Sequence, residues 1–277
     1  MQMLPHLQMQ GRLGEGIGAA HFAALKGNQR CAVFLQTRGE ESTTTVTPSA
    51  DNALHRLPHR VAVIGAAGGL GQGILRVCRA DGIAFTAIVR SRPERIVDVP
   101  QGSQVAVVTS LADRAALTKA FSGADIVLTA LGVTPTSKER SAMLSENAAE
   151  VEAAMLAARV DRIIIINTLV VSPPGKPASR AIRFFSRVPG RIGRGAREQQ
   201  AVVDALDRGA FSAVRWTLVR AGLNSRGKNE APAVAADWPG ALNSWMPVSY
   251  DAMARWMIEE ATANQFVKAA PLVSGRR

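Results

Sequence analysis

Two kinds of hydrophobic pattern alternate along this chain: short apolar runs, and longer segments in which apolar residues recur every three or four positions. The first run, residues 61–64, is followed by a glycine-rich stretch and then by helically spaced apolar residues up to Cys78. A short β-branched run next to glycine is typical of a buried strand, and a spacing of three and four is typical of a packed helix. The pattern therefore predicts a strand, a tight turn and a helix, in that order.

The alternation continues after this unit. Strands are predicted at residues 84–89, 105–108, 125–129, 162–167, 216–220 and 266–273, and helices at 114–121, 138–159, 196–206 and 251–262. Asp113 and Asp251 are expected to cap two of these helices. Strands that alternate with helices form right-handed crossovers and a parallel sheet. The sequence thus predicts an α/β fold, a Rossmann-type doubly wound parallel sheet with a small C-terminal substrate-covering portion, to which residues 172–195 and 224–250 contribute.

Residues 1–58 differ from the rest of the chain in composition. They are rich in Gly, Thr, Ser and Gln, contain two short apolar pieces, and carry five basic and four acidic residues. Such a segment has little apolar surface to bury. We expect a disordered extension, or a start codon placed too far upstream, and a folded domain that spans residues 59–273.

The glycines after the first strand have the spacing of a dinucleotide-binding turn. Gly65 allows the sharp turn, Gly68 lets a pyrophosphate approach the backbone, and Gly71 lets the helix pack close to the sheet. The start of the helix then presents free N–H groups and a positive dipole end to the phosphates. A plain glycine-rich turn is the alternative. The expected cofactor-binding residues are Gly65, Ala67, Gly68, Gly69, Leu70 and Gly71, together with Ala130, Leu131 and Gly132 after the fourth strand.

Two arginines, Arg90 and Arg92, follow the second strand, where a dinucleotide fold places the adenosine ribose. A carboxylate at this position binds a free 2′-hydroxyl, whereas an arginine pairs with a 2′-phosphate. The sequence therefore favours NADP(H) over NAD(H). The alternative is a pair of solvated arginines at a strand end, which would suit Arg92 better than Arg90.

The net charge of +11 is concentrated in one segment. Residues 171–200 contain seven basic residues and one acidic residue, so they supply more than half of the excess. Three interpretations stay open: a lid over the cofactor that favours anionic substrates, contact of residues 176–197 with an anionic membrane, and a solvated surface, the commonest outcome for such runs. Because the rest of the chain is only mildly basic, we expect no nucleic-acid partner, and we rank membrane contact as secondary.

Histidine and cysteine are sparse. All four histidines precede the glycine motif, which indicates no metal site, and there are two cysteines, Cys31 and Cys78. Cys78 falls on the apolar face of the first helix, where a buried thiol is expected. Such usage suits a reducing compartment, and we expect a cytoplasmic location.

Four segments together resemble a known family. They are the glycine motif from Gly65 to Gly71, Ile88-Val89-Arg90, Ala124-Asp125-Ile126-Val127 with Ala130-Leu131-Gly132, and Arg215-Trp216-Thr217-Leu218-Val219-Arg220-Ala221-Gly222. Over about residues 60–270 the chain is similar to the atypical short-chain dehydrogenase/reductases of the NmrA-like and biliverdin-reductase-B-like kind. The resemblance implies a Rossmann sheet whose C-terminal portion closes over the nicotinamide, NADP(H) binding, and either reduction of a small organic substrate or cofactor sensing for a regulatory protein partner.

The catalytic signal is weaker than the cofactor signal. Typical members of the wider superfamily use a tyrosine with a lysine four residues later, and this chain has one tyrosine, Tyr250, followed at that spacing by Ala254. The proton-donating Tyr–Lys couple is therefore absent. Thr168, just after the fifth strand, is the remaining catalytic candidate, because its hydroxyl could bind a substrate carbonyl; the alternative is a strand-end threonine that bonds the backbone.

Overall fold

The computed structural model describes residues 57–131, 144–223, 227, 229–235 and 246–275. Gly132 and residues 1–56 lie outside this set, and so do most of residues 224–250. The prediction of a disordered or misassigned extension at residues 1–58 therefore stays a prediction, as does the role of Gly132.

Eight strands of the described residues form one sheet. They are β1 (Arg60–Ile64), β2 (Ala84–Val89), β3 (Gln104–Val107), β4 (Ile126–Thr129), β5 (Arg162–Thr168), β6 (Arg215–Ala221), β7 (Ala233–Ala235) and β8 (Leu272–Ser274). Their spatial order is β3-β2-β1-β4-β5-β6-β8-β7. All neighbouring pairs are parallel except β7 and β8, which are antiparallel. This is the doubly wound Rossmann arrangement that the sequence predicted, and its order reverses direction between β1 and β4.

Helices cover both faces of the sheet. They are α1 (Gly69–Ala80), α2 (Arg114–Phe121), α3 (Ala148–Ala157), α4 (Arg180–Arg187), α5 (Arg191–Asp207) and α6 (Tyr250–Ala263). Apolar residues of α1 and α6 share one core, and those of α2, α3, α4 and α5 share the other. The two cores are separated by the sheet, since Val61 and Val63 of β1 face the first core and Ala62 and Ile64 face the second.

Several helix boundaries differ from the sequence predictions. In the described part of the predicted 138–159 helix, residues 144–147 form a turn and bend, and α3 begins at Ala148 after the polar stretch Ser145-Glu146-Asn147. The helix predicted at 196–206 begins five residues earlier, because Gly190 takes a positive φ of 79° and lets the chain enter α5 directly at Arg191.

The C-terminal elements also need correction. Ser249 caps α6 by accepting a hydrogen bond from the Ala252 amide at 3.0 Å. Asp251, the predicted cap, instead accepts hydrogen bonds from Arg76 of α1 at 2.5 and 3.1 Å. The last predicted strand, 266–273, is regular only at Leu272–Ser274, and Ala269 makes an isolated bridge to Thr217.

Candidate cofactor-binding site

The turn between β1 and α1 is held at the carboxyl edge of the sheet by both neighbouring strands. The amides of Gly65 and Ala66 donate to the Ile88 carbonyl of β2 at 3.1 and 3.2 Å, and the Ala130 amide after β4 donates to the Ile64 carbonyl at 2.8 Å. Gly65 has a φ of +86°, and a Cβ built on it would lie 3.0 Å from the Ala130 carbonyl group. A side chain at residue 65 would therefore meet both backbone strain and a close neighbour.

Gly71 is the point where α1 rests on this turn. A Cβ at this position would lie 2.4 Å from the Gly65 oxygen and 2.6 Å from the Ala66 Cα. Both neighbours are backbone atoms, which cannot rotate away. The close packing that the sequence predicted for Gly71 is present.

The N-terminus of α1 is exposed at two glycines. Gly68 and Gly69 are exposed, and Gly68 occupies the N-cap position, where no side chain of the described residues accepts a hydrogen bond from the helix. The Gly68 amide itself bonds the Gly65 oxygen at 3.0 Å. Leu70 is buried in the core, so it contributes only its backbone to this end, and Ala67 is half-buried. The amides that follow Gly68 are oriented for an anion, and the helix dipole adds positive potential.

Tyr250, the first residue of α6, is the neighbour of this first turn that sequence reasoning missed. A Cβ on Gly69 would lie 2.6 Å from Cε2 and 2.8 Å from Cζ of the Tyr250 ring. A Cβ on Gly73 would lie 2.9 Å from the Tyr250 carbonyl oxygen. Two glycines four residues apart on one helix face were the available signal of a close approach, but only tertiary structure identifies the element that fills the space.

The two arginines proposed for the adenosine end have different surroundings. Arg90 directly follows β2 and is half-buried, whereas Arg92 is exposed and has a φ of +62° before the 3₁₀ turn Pro93–Arg95. The Gln72 side-chain amide of α1 donates to the Arg95 carbonyl at 3.1 Å and to the Ala66 carbonyl at 3.3 Å. The segment after β2 is thereby tied to the glycine turn.

The other wall of the crevice comes from the ends of β4 and β5. Ala130 is buried, and the half-buried Leu131 reaches Gly65, since its Cδ2 would lie 3.2 Å from a Cβ there. In β5 the Thr168 amide donates to Asn167 Oδ1 at 2.7 Å, and Asn167 Nδ2 donates to the Gln199 carbonyl at 3.0 Å. Asn167 thus fastens α5 to the end of β5.

Thr168 is half-buried at the last position of β5. Its hydroxyl makes no hydrogen bond to the other residues that the structure describes, so the backbone-bonded alternative is not observed among them. A hydroxyl in this place can donate to a carbonyl oxygen, but it is too weak an acid to protonate one without help.

Cys78, on α1, is a free and buried thiol. Burial, with a smaller contribution from Asp81, raises the pKa of the Cys78 thiol to about 12, so the thiol stays neutral and unreactive. Within the described ranges there is no group of three or more His, Cys, Asp or Glu side chains placed to hold a metal ion. Those ranges also contain no helix with the length and apolar character of a membrane span.

Comparison with known proteins agrees with this geometry. A family model described as NAD(P)H-binding matches residues 65–265, which is most of the chain. No curated protein matches the sequence.

Solved structures share the fold at low sequence identity. One is a short-chain dehydrogenase/reductase from Veillonella parvula DSM 2008 in complex with NADP, with 17% identity, a TM-score of 0.55, and coverage of 79% of this chain and 95% of that chain. Another is ChuY, an anaerobilin reductase from Escherichia coli O157:H7, with 14% identity, a TM-score of 0.57, and coverage of 78% and 97%. A third is a Rossmann-fold NAD(P)-binding family protein from Shigella flexneri, with 21% identity, a TM-score of 0.52, and coverage of 79% and 96%.

Proposed function

The chain belongs to the NAD(P)H-binding family, and on that premise we propose that it is an atypical short-chain dehydrogenase/reductase, which binds NADP(H) and transfers hydride from NADPH to a small organic substrate. The observation that carries the proposal is the exposed glycine backbone at the N-terminus of α1, Gly68 and Gly69, where no side chain of the described residues caps the helix. This end is bordered by the turn at Gly65 and by the segment that begins at Arg90. The finer resemblance to NmrA-like proteins stays a prediction.

The residues present fit such a cofactor. The exposed backbone at Gly68 leaves room for a diphosphate next to the first amides of α1. Arg90 would pair with the 2′-phosphate, because a guanidinium binds phosphate in a bidentate manner. Ala130 and Leu131 would form the floor under the nicotinamide side. When bound, NADPH would supply the hydride, and the chain would orient the reactants and exclude water.

Thr168 would position the substrate by donating a hydrogen bond to its carbonyl oxygen. A tyrosine–lysine couple is absent from the sequence, so the proton would come from water or from an acidic substrate. This arrangement favours substrates whose reduction does not require a proton from an acidic side chain of the protein.

The second candidate is a non-catalytic NADP(H)-sensing protein that acts through a protein partner. The missing Tyr–Lys couple favours it. A cytoplasmic location belongs to both candidates, and the free, buried thiol of Cys78 supports it.

Thermal unfolding with NADPH, with NADH and without cofactor tests the binding proposal. A cofactor at a hundredfold excess over its Kd adds about 2.7 kcal/mol to the free energy of unfolding. In a domain of this size that corresponds to a rise of roughly 5–10 °C in Tm. We expect the larger rise with NADPH, and a response to NADH alone would contradict the assignment.

Charge reversal after β2 tests the 2′-phosphate contact. We expect Arg90→Asp to weaken NADPH binding by about tenfold to a hundredfold, the value of a lost charge-assisted hydrogen bond, and to change NADH binding by less than about threefold. Isothermal titration calorimetry measures both. Arg208→Asp, at an exposed position after α5, is the matched control, and equal losses of the two cofactors at residue 90 would remove Arg90 from the site.

Turnover separates the two candidates. NADPH oxidation, followed at its absorbance maximum against quinones, enals and flavins, should be detected for a reductase and should fall in Thr168→Val with unchanged NADPH binding. Tight NADPH binding without turnover on the whole panel favours the sensor.

A further inference from the structure

The exposed face of α4 has a composition unlike that of a solvated helix. Arg180, Arg183, Phe184 and Arg187 stand at helical spacing on one face, and all four are exposed. Phe184 is 65% exposed although it lies in the middle of this face. We call these four residues the α4 face.

The opposite side of α4 already supplies its core contact. Ile182 is 1% exposed and belongs to the core that α2, α3 and α5 share. Ser179 caps the helix, accepting a hydrogen bond from the Ile182 amide at 3.1 Å, which fixes the rotation of the helix. The packing of α4 therefore does not require an outward phenylalanine.

The beginning of α5 extends the same surface. Arg197 Nη1 donates to the Ser186 carbonyl at 2.6 Å, and a Cβ on Gly193 would lie 1.9 Å from the Val188 oxygen, so α5 is tightly joined to the end of α4. Ile192 is 59% exposed and Phe185 is 40% exposed. A second group of apolar side chains therefore borders the α4 face.

Charge in this region has a single sign. No aspartate or glutamate occurs from residue 171 to residue 197, while seven lysines and arginines do. A surface that combines exposed arginines with exposed aromatic and aliphatic side chains complements an anionic bilayer, whose headgroups attract the cations and whose acyl boundary accepts the apolar groups.

Other polyanions match this surface less well. Duplex nucleic acid presents phosphates but no apolar layer for Phe184 and Ile192, and single strands would stack on phenylalanine but not on isoleucine. We propose that the α4 face, with Phe185 and Ile192 beside it, docks this protein on the surface of an anionic membrane.

Vesicle co-sedimentation of the full chain tests the proposal. Binding should be strong to phosphatidylcholine vesicles with about 30 mol% phosphatidylserine and at least tenfold weaker to pure phosphatidylcholine, because the arginines need anionic headgroups. Raising NaCl from about 0.1 to about 0.5 M should weaken binding only in part, since salt screens the charges but leaves the apolar contacts.

Matched variants distinguish the effect of the α4 face on vesicle affinity from the effect of net charge. We expect Arg183→Gln/Arg187→Gln to lose about fivefold in vesicle affinity per arginine, and Phe184→Ser to lose about fivefold at constant charge. Lys119→Gln/Arg208→Gln removes the same charge from exposed positions elsewhere, and Leu156→Ser removes an apolar side chain that is 48% exposed; both controls should change affinity by less than about twofold.

Three results would overturn the proposal: no binding to anionic vesicles, equal losses in the controls, or tighter binding to single-stranded DNA of equal total charge than to vesicles. The rise in Tm with NADPH provides an independent readout. If every α4 variant still binds NADPH as the unmodified protein does, the variants are folded. A loss of vesicle binding can then be assigned to the α4 face and not to a damaged cofactor site.

Discussion

A buried ion pair outside the candidate cofactor site shows how single residues contribute to the stability of the fold. Arg162, at the start of β5, and Glu260 of α6 approach to 3.1 Å, with side chains only 1% and 2% exposed. Burial lowers the pKa of Arg162 to about 10 and raises the pKa of Glu260, although each partner opposes the shift of the other. Glu260 also accepts a hydrogen bond from the Phe266 amide at 2.8 Å, so the pair connects α6 to the chain that leads into β8.

Glu260→Gln should therefore be strongly destabilising. Without the carboxylate, the guanidinium of Arg162 is left buried and uncompensated, at a cost of about 3–5 kcal/mol in the free energy of unfolding. Urea unfolding monitored by circular dichroism measures the change. Glu150→Gln, which breaks the exposed Arg114–Glu150 pair, should have little measurable effect. Similar losses in both variants would contradict this account.

At the scale of elements, the close approach of α6 limits which residues fit in the first turn of α1. The Tyr250 ring lies where a side chain at Gly69 would project, and the Arg76–Asp251 pair joins the same two helices. The region that we propose for phosphate binding is thus supported by an element more than 170 residues later in the chain.

A double-mutant cycle tests this contact. Gly69→Ala should cost about 1–3 kcal/mol, because its Cβ would overlap the Tyr250 ring. In a Tyr250→Ala background the same change should be neutral or stabilising by up to about 1 kcal/mol, since alanine favours helix over glycine. Urea unfolding of the four proteins gives the coupling energy. An equal cost in both backgrounds would mean that the ring does not limit residue 69.

Over the whole molecule, stability should follow the order of strands in the sheet. The strands β1, β4, β5 and β6 are paired on both sides and nearly all of their residues are buried, whereas β3 lies at one edge and exposes Gln104 and Val107. Local opening costs less where fewer apolar contacts and fewer paired amides are lost.

Hydrogen exchange measured by mass spectrometry should therefore show the slowest amide exchange in the four central strands and faster exchange in β3. With NADPH, added protection should concentrate between residues 64 and 72 and just after β2, because bound phosphate would occupy those amides. Protection of β3 equal to that of β5, or a uniform effect of NADPH, would contradict the expectation.

Local patterns predicted most of the fold because they reflect short-range physics. The strand of four isoleucines at 163–166 and the helix capped by Asp113 are both present as predicted, since periodicity and capping depend on residues within one or two turns of each other. Predictions failed where a distant partner decides. Asp251 pairs with Arg76, 175 residues away, instead of capping α6.

By itself the sequence determined the alternation of strands and helices, the glycine turn after β1 and the arginine after β2, because each depends on neighbours along the chain. Tertiary structure alone decided that Tyr250 packs on Gly69 and that the phenylalanine of α4 faces outward. The spacing of Gly69 and Gly73 indicates that another element approaches α1, but the sequence does not identify that element. Its identity and the exposure of the α4 phenylalanine depend on which elements the sheet order brings together.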